Sequence, residues 1–154
     1  MLVKKMVMSN KKTKNINPRL FSLQLKKALF YAFYEARKQG SDVVDSQYLL
    51  YGLLKGNDSL SNKLIHRVCK VDSISNPNQK LIAKLKINFK RKSQLVVFST
   101  NKPFPNFSRP VKKLLFSVIK STRTDKKSIL TSLHVLNYLV RNKHISKWVK
   151  DNFK

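Results

Sequence analysis

Three histidines (His66, His134 and His144), one cysteine (Cys69) and seven carboxylates are what this 154-residue sequence offers for metal, thiol or acid–base chemistry. The histidines are scattered without metal-ligand spacing, and a lone cysteine closes no internal disulfide. No nucleophile elbow is present, and no histidine has an acidic and a nucleophilic partner arranged by spacing. A phosphate loop of the G-x-x-x-x-G-K-[ST] kind is absent, and three glycines could not build one. The expectation is therefore a protein without catalysis, cofactor or metal, whose work is binding.

Charge points the same way. Lys+Arg number 33 against 7 Asp+Glu, a formal net charge of +26. Lysines that neutralise phosphates release counterions and supply most nonspecific nucleic-acid affinity. Yet only seven of the basic residues are arginine, the side chain suited to forked readout of bases and phosphates. Lysine runs along the whole chain with abundant asparagine, as in SNKKTKNIN, a pattern that AT-rich coding produces whatever the function. The densest clusters, Lys90-Arg91-Lys92 and Lys11, Lys12, Lys14, are candidate phosphate contacts, but neither has the interleaved aromatics of single-strand binders.

Helical elements must position whatever binds. With 42% hydrophobic residues and this length, one domain with one core is expected. No apolar run approaches the roughly 18 to 20 residues that cross a bilayer, and MLVKKMVMSN has no signal-peptide apolar region, so no membrane partner is expected. Residues 1–17 read as a flexible basic arm closed by Pro18. Leu25, Ala28, Leu29, Ala32, Phe33 and Ala36 recur at three and four, one helix face, until Gly40. Asp45 or Ser46 then caps a short helix carrying Tyr48, Leu49, Leu50, Leu53 and Leu54. Further helices fit 59–70 and about 77–90. The stretch 91–106 reads as a linker with one extended piece, since Pro103 and Pro105 forbid a helix through it. Helical period resumes at Phe107, continues over Ile129 to Val140, and ends in HISKWVKDNF, where Trp148 is a core or interface anchor.

An internal repeat underlies these elements. FSLQLKKAL at Phe21 aligns with FSRPVKKLL at Phe107, an offset of 86 residues that carries on without a gap. Lys26/Lys112, Leu29/Leu115, Arg37/Arg123, Ser46/Ser132, Leu50/Leu136 and Leu53/Leu139 coincide in it. Duplicated units pack about a pseudo-twofold, and their seam is a natural groove.

The residues of the two copies also resemble a known family. Phe21, Ser22, Ala28, Leu29, Ala32, Glu35, Ala36, Gly40, Val44, Ser46, Leu49, Leu50, Gly52 and Leu53 fill the places of the first Clp repeat, F-[ST], A-L, A, E-A, G and T-E-H-[IL]-L-x-G-L. PFPNFSRPVKKLL and Ser132, His134, Val135, Leu136 and Leu139 are similar to the second repeat. The resemblance covers about residues 20 to 152 and implies the N-terminal domain of Clp unfoldases. That domain is all-α, with duplicated four-helix repeats, here spanning 20–90 and 107–152, the last helix missing for want of chain. It implies an accessory module whose partners are adaptor or substrate proteins, or Clp ATPase and protease subunits, and a plastid-stroma setting, with a bacterial-type cytoplasm as the alternative. The implied peptide- or adaptor-binding residues are Ser22, Gln47 and Tyr48 in one copy and Ser108, Leu133 and His134 in the other. Where the family places a glutamate to hold a guanidinium, this sequence has Gln47 and Leu133, and Tyr48 stands for the first histidine. The alternative function is a basic nucleic-acid or ribosome-associated protein, with nonspecific contacts.

Overall fold

Ser22 has extended backbone and accepts the Leu25 N–H on its side-chain oxygen at 3.1 Å, which satisfies one orphan donor and opens helix α1, Leu23–Lys38. The helix buries Leu25, Ala28, Leu29, Ala32, Phe33 and Ala36, the face expected from their spacing. It stops where Gly40 takes φ +73°, with the Gly40 N–H donating to the Arg37 carbonyl and the Ser41 N–H to the Ala36 carbonyl. Such a left-handed turn suits a residue without a Cβ.

The computed structural model describes residues 21–56, 59–70, 76–93, 105–122 and 129–153. Over these the protein is all-α apart from one short parallel sheet. Strand β1, Val43–Val44, leads into α2, Ser46–Lys55, which Asp45 caps by accepting the Gln47 and Tyr48 N–H groups. Then come α3, Ser59–Cys69, α4, Pro77–Ser93, strand β2, Asn106–Phe107, and α5, Arg109–Thr122. The last two, α6, Ser132–Arg141, and α7, Lys143–Asp151, meet at Asn142, which ends one and caps the other. None of the helices is long and apolar enough to cross a membrane among the described residues. The expected basic arm, 1–17, lies outside them.

Three boundaries differ from those expected of the sequence. Helix α4 runs through Lys90, Arg91 and Lys92 to Ser93, into the expected linker, because lysine and arginine propagate a helix as readily as apolar residues do. Phe107 belongs to β2, and Leu130 is extended rather than helical, the next helix starting at Ser132. Positions 94–104, with the β-leaning LVVF, lie outside the described residues.

Those extended residues fasten the chain across its length. Val43 pairs with Asn106 and Val44 with Phe107, while Phe21 bridges Leu130. The Ser22 N–H donates to the Leu130 carbonyl at 2.8 Å, and the Ser108 N–H to the Val44 carbonyl at 3.0 Å. Adding 86 turns Ser22 into Ser108 and Val44 into Leu130, so the offset found in the sequence exchanges the two bonds. Helix contacts follow suit, α1 meeting α6 and α5 meeting α2. Strands this short have no stability alone. Packing beneath them provides it, with Phe33 and Phe107 rings 4.7 Å apart and Val44 and Leu130 buried.

The closest helix pair is α1 with α2, where Ala28 and Ala32 face Gly52. A Cβ on Gly52 would collide with the Ala28 carbonyl oxygen and sit 3.0 Å from the Ala32 Cβ. Gly52→Ala therefore forces two backbones apart and should cost about 2 kcal/mol, the scale of core overpacking. Gly56→Ala is the control. Its nearest neighbour would be 3.6 Å away and its φ is −62°, so thermal melting should show a change within about 0.5 kcal/mol. Equal melting temperatures for the two variants would refute the close approach.

Candidate functional site

The six residues singled out in the sequence gather into two places, and the gathering is crossed. Ser108 donates its main-chain N–H to Val44, immediately before the α2 start that holds Gln47 and Tyr48. Ser22 donates to Leu130, immediately before the α6 start that holds Leu133 and His134. Each serine thus joins the helix start of the other copy. Their hydroxyls act as caps, accepting the Leu25 and Val111 N–H groups, and neither sits beside a base.

At the α2 start, Asp45 Oδ1 takes the Gln47 and Tyr48 N–H groups at 2.9 and 3.0 Å. A carboxylate there also meets the positive end of the helix dipole. Lys92, at the end of α4, reaches across with its Nζ 3.5 Å from Asp45 Oδ2 and donates to Gln47 Oε1 at 3.2 Å. An ammonium of the chain itself is thus held at the start of α2. The pair is solvent-exposed, so its contribution to stability is small.

Tyr48 is buried and stacks on Phe89 of α4 with ring centroids 4.1 Å apart, while Tyr51 meets the same ring edge-on at 5.8 Å. Burial, then the nearby Asp45 and Glu35 carboxylates, push the Tyr48 hydroxyl up to about 12, partly offset by a hydrogen bond from Ser41. Glu35 is itself buried and accepts from Gln39 Nε2 at 3.0 Å. Tyr48 is a packing residue that locks α4 onto α2, with no face left for a ligand.

The α6 start is built differently. The Thr131 side chain accepts the His134 N–H at 3.4 Å, and His134 Nδ1 accepts the Thr131 N–H at 3.2 Å. These reciprocal bonds form a capping box with histidine where glutamate or glutamine is usual. Accepting there requires Nδ1 to carry no proton, which puts the neutral ring's proton on Nε2. Leu133 lines a shallow hollow with Ser132, Leu136, Gln24, Ala28, Leu53, Gly56 and Ser61. Its empty volume is about 310 Å³, open solvent included, at the junction of α1, α2, α3 and α6. The lining is apolar and hydroxylic with the Gln24 amide and no charge, and the hollow is too shallow to enclose a side chain.

Positions 86 residues apart on α2 and α6 differ in kind. Tyr48 and Tyr51, covered by α4, correspond to His134 and Asn137 on α6, and Lys55 to Arg141. No helix follows α7 among the described residues. The exposed side of α6 is largely polar, with Tyr138 its exposed apolar side chain. Trp148 on α7 is half-buried and packs against the core, as an anchor should.

Lys92 is the site residue that sequence reasoning misplaces, among phosphate contacts in a linker. Its signal is spacing: it follows Phe89 by three, on the face that continues Leu81 and Leu85. Among the described residues no three of the histidine, cysteine and acidic side chains come together as a metal set. No protein-family model matches the chain, and no curated protein matches it.

Burial of Tyr48 has a pH consequence. Below pH 10 both the folded and unfolded chains keep the phenol proton; between 10 and about 12 the unfolded chain loses it while the folded one retains it. Folding is therefore weakened as pH rises through that window, by about 1.4 kcal/mol per unit for one proton. Denaturant melts of the protein and of Tyr48→Phe at pH 9 to 12 should show a shallower alkaline decline in the variant. Parallel declines would mean that Tyr48 ionises freely.

Proposed function

We propose that this protein is a non-catalytic binding module of the Clp N-terminal kind, which docks adaptor or substrate proteins or Clp ATPase and protease subunits. The observation that carries the reading is the exchange of the Ser22–Leu130 and Ser108–Val44 hydrogen bonds under the 86-residue offset. The bonds start from the two F-S serines that carry the resemblance and end at Leu130 and Val44, each two residues before a T-E-H-like position. The all-α frame agrees. Gln47 and Leu133 argue against guanidinium capture, since neither supplies a carboxylate and Gln47 is engaged by Lys92. A plastid stroma is the proposed setting, on the resemblance and the lysine–asparagine bias alone.

A second reading, a basic nucleic-acid or ribosome-associated protein, is favoured by one observation. Helix α4 exposes Lys80, Lys84, Lys86 and Arg91 within about three turns. Salt dependence separates the two. Copurification of the tagged full-length protein from its native host should recover Clp ATPase or protease subunits at physiological salt. Recovery of RNA alone, in amounts that collapse as salt is raised, would replace the first reading by the second.

A further inference from the structure

We infer that the outer face of α1 is a docking surface for an acidic amphipathic helix of another protein. Leu23, Lys27, Phe30 and Tyr34 follow one another at four, three and four residues, one stripe about 16 Å long. The three apolar members are 69%, 41% and 58% exposed, a concentration of large apolar surface on a single helix face. Phe30 and Tyr34 stack on each other with centroids 6.1 Å apart and 23° between planes, which presets their rotamers. Phe30 also leans edge-on against half-buried Tyr31, whose ring lies 5.4 Å below the Lys55 ammonium. Anchors with this spacing are what a helix lying along another helix reads.

Charge specifies the occupant. Lys27 within the stripe and Lys38 just beyond its C-terminal end are both exposed, and the one acid of α1, Glu35, is buried. A partner helix with apolar residues on one face and glutamates or aspartates beside them would complement both features. A second copy of this chain would bring the same cations against these, with +26 on each molecule. A single-stranded nucleic acid would gain nothing from Leu23, which has no ring to stack on. The matched face of α5 makes the contrast. It carries Arg109, Lys113 and Lys120 exposed, with Phe116 half-buried against the core. The cationic version of the stripe is on α5; the apolar version is on α1.

This surface uses none of the residues at the two helix starts, so it stands or falls separately from the proposed function. The test is fluorescence anisotropy of the full-length protein against three labelled probes. These are a designed helix with leucine and phenylalanine on one face and glutamate on the other, a scrambled peptide of the same composition, and single-stranded oligouridine. The ordered peptide should bind about tenfold or more tightly than the scrambled one. The double variant Leu23→Arg, Tyr34→Lys installs the α5 residues on α1, at exposed positions, and circular dichroism checks its fold. It should weaken the ordered peptide by about tenfold or more even though it adds two positive charges, while oligouridine binds more tightly. Tyr34→Lys alone, the smaller change, should give an intermediate loss. Equal affinity for ordered and scrambled peptides overturns the inference, as does peptide binding that is unchanged or stronger in the variant. So does oligouridine binding that falls in the variant, or self-association of the protein that the variant abolishes.

Discussion

Two main-chain hydrogen bonds, Ser22 to Leu130 and Ser108 to Val44, govern how the molecule is put together. A net hydrogen bond contributes only about 1 kcal/mol, so their importance is geometric. Each anchors the residue that caps a helix to the strand residue that precedes the second helix of the other copy. The start of α1 is thereby fixed beside the start of α6, and the start of α5 beside that of α2. The hollow next to Leu133 and the Gln47–Lys92 clamp both lie where this crossing leaves a helix N-terminus at a junction.

Within that shared frame the two copies differ in tightness. Ala28, Ala32 and Gly52 let α1 and α2 approach until backbone meets backbone. The matching residues are Leu114, Val118 and Tyr138, each larger, and α5 with α6 makes the less extensive contact. The tight pair is then covered by α4 through the Tyr48–Phe89–Tyr51 cluster. The loose pair turns His134 and Arg141 outward.

Much of this is legible in the order of residues alone. The i, i+3, i+4 recurrence of Leu25, Ala28, Leu29, Ala32 and Phe33 can only be one buried helix face, and Gly40 and Asp45 mark the ends around it. The 86-residue offset needs no geometry to see. Periodicity cannot reveal Val43–Val44 or Asn106–Phe107, since two residues are too few for a period of two to register. Lys92 reads as part of a linker because the apolar period of α4 ends at Phe89, and only the continued helix brings it to Asp45. The role of His134 as a cap depends on Thr131 standing three residues earlier with its backbone extended, which spacing does not report. That Tyr48 is aromatic is visible, but its stacking partner 41 residues later, Phe89, is not.

The crossed seam also sets a schedule for synthesis. Leu130 is made 108 residues after Ser22, which at ribosomal rates of about 5 to 20 residues per second is roughly 5 to 20 s later. Through that interval the first copy can pack Leu25, Leu29 and Leu50 internally, but the Ser22 amide and the Phe21 ring have no partner strand to close on. Nascent chains on neighbouring ribosomes carry the same open edge, and each could offer its own Leu130 to another's Ser22. Exchange of the second half between two chains would satisfy every seam bond as well as closure within one chain. The dense positive charge opposes that encounter by keeping like chains apart.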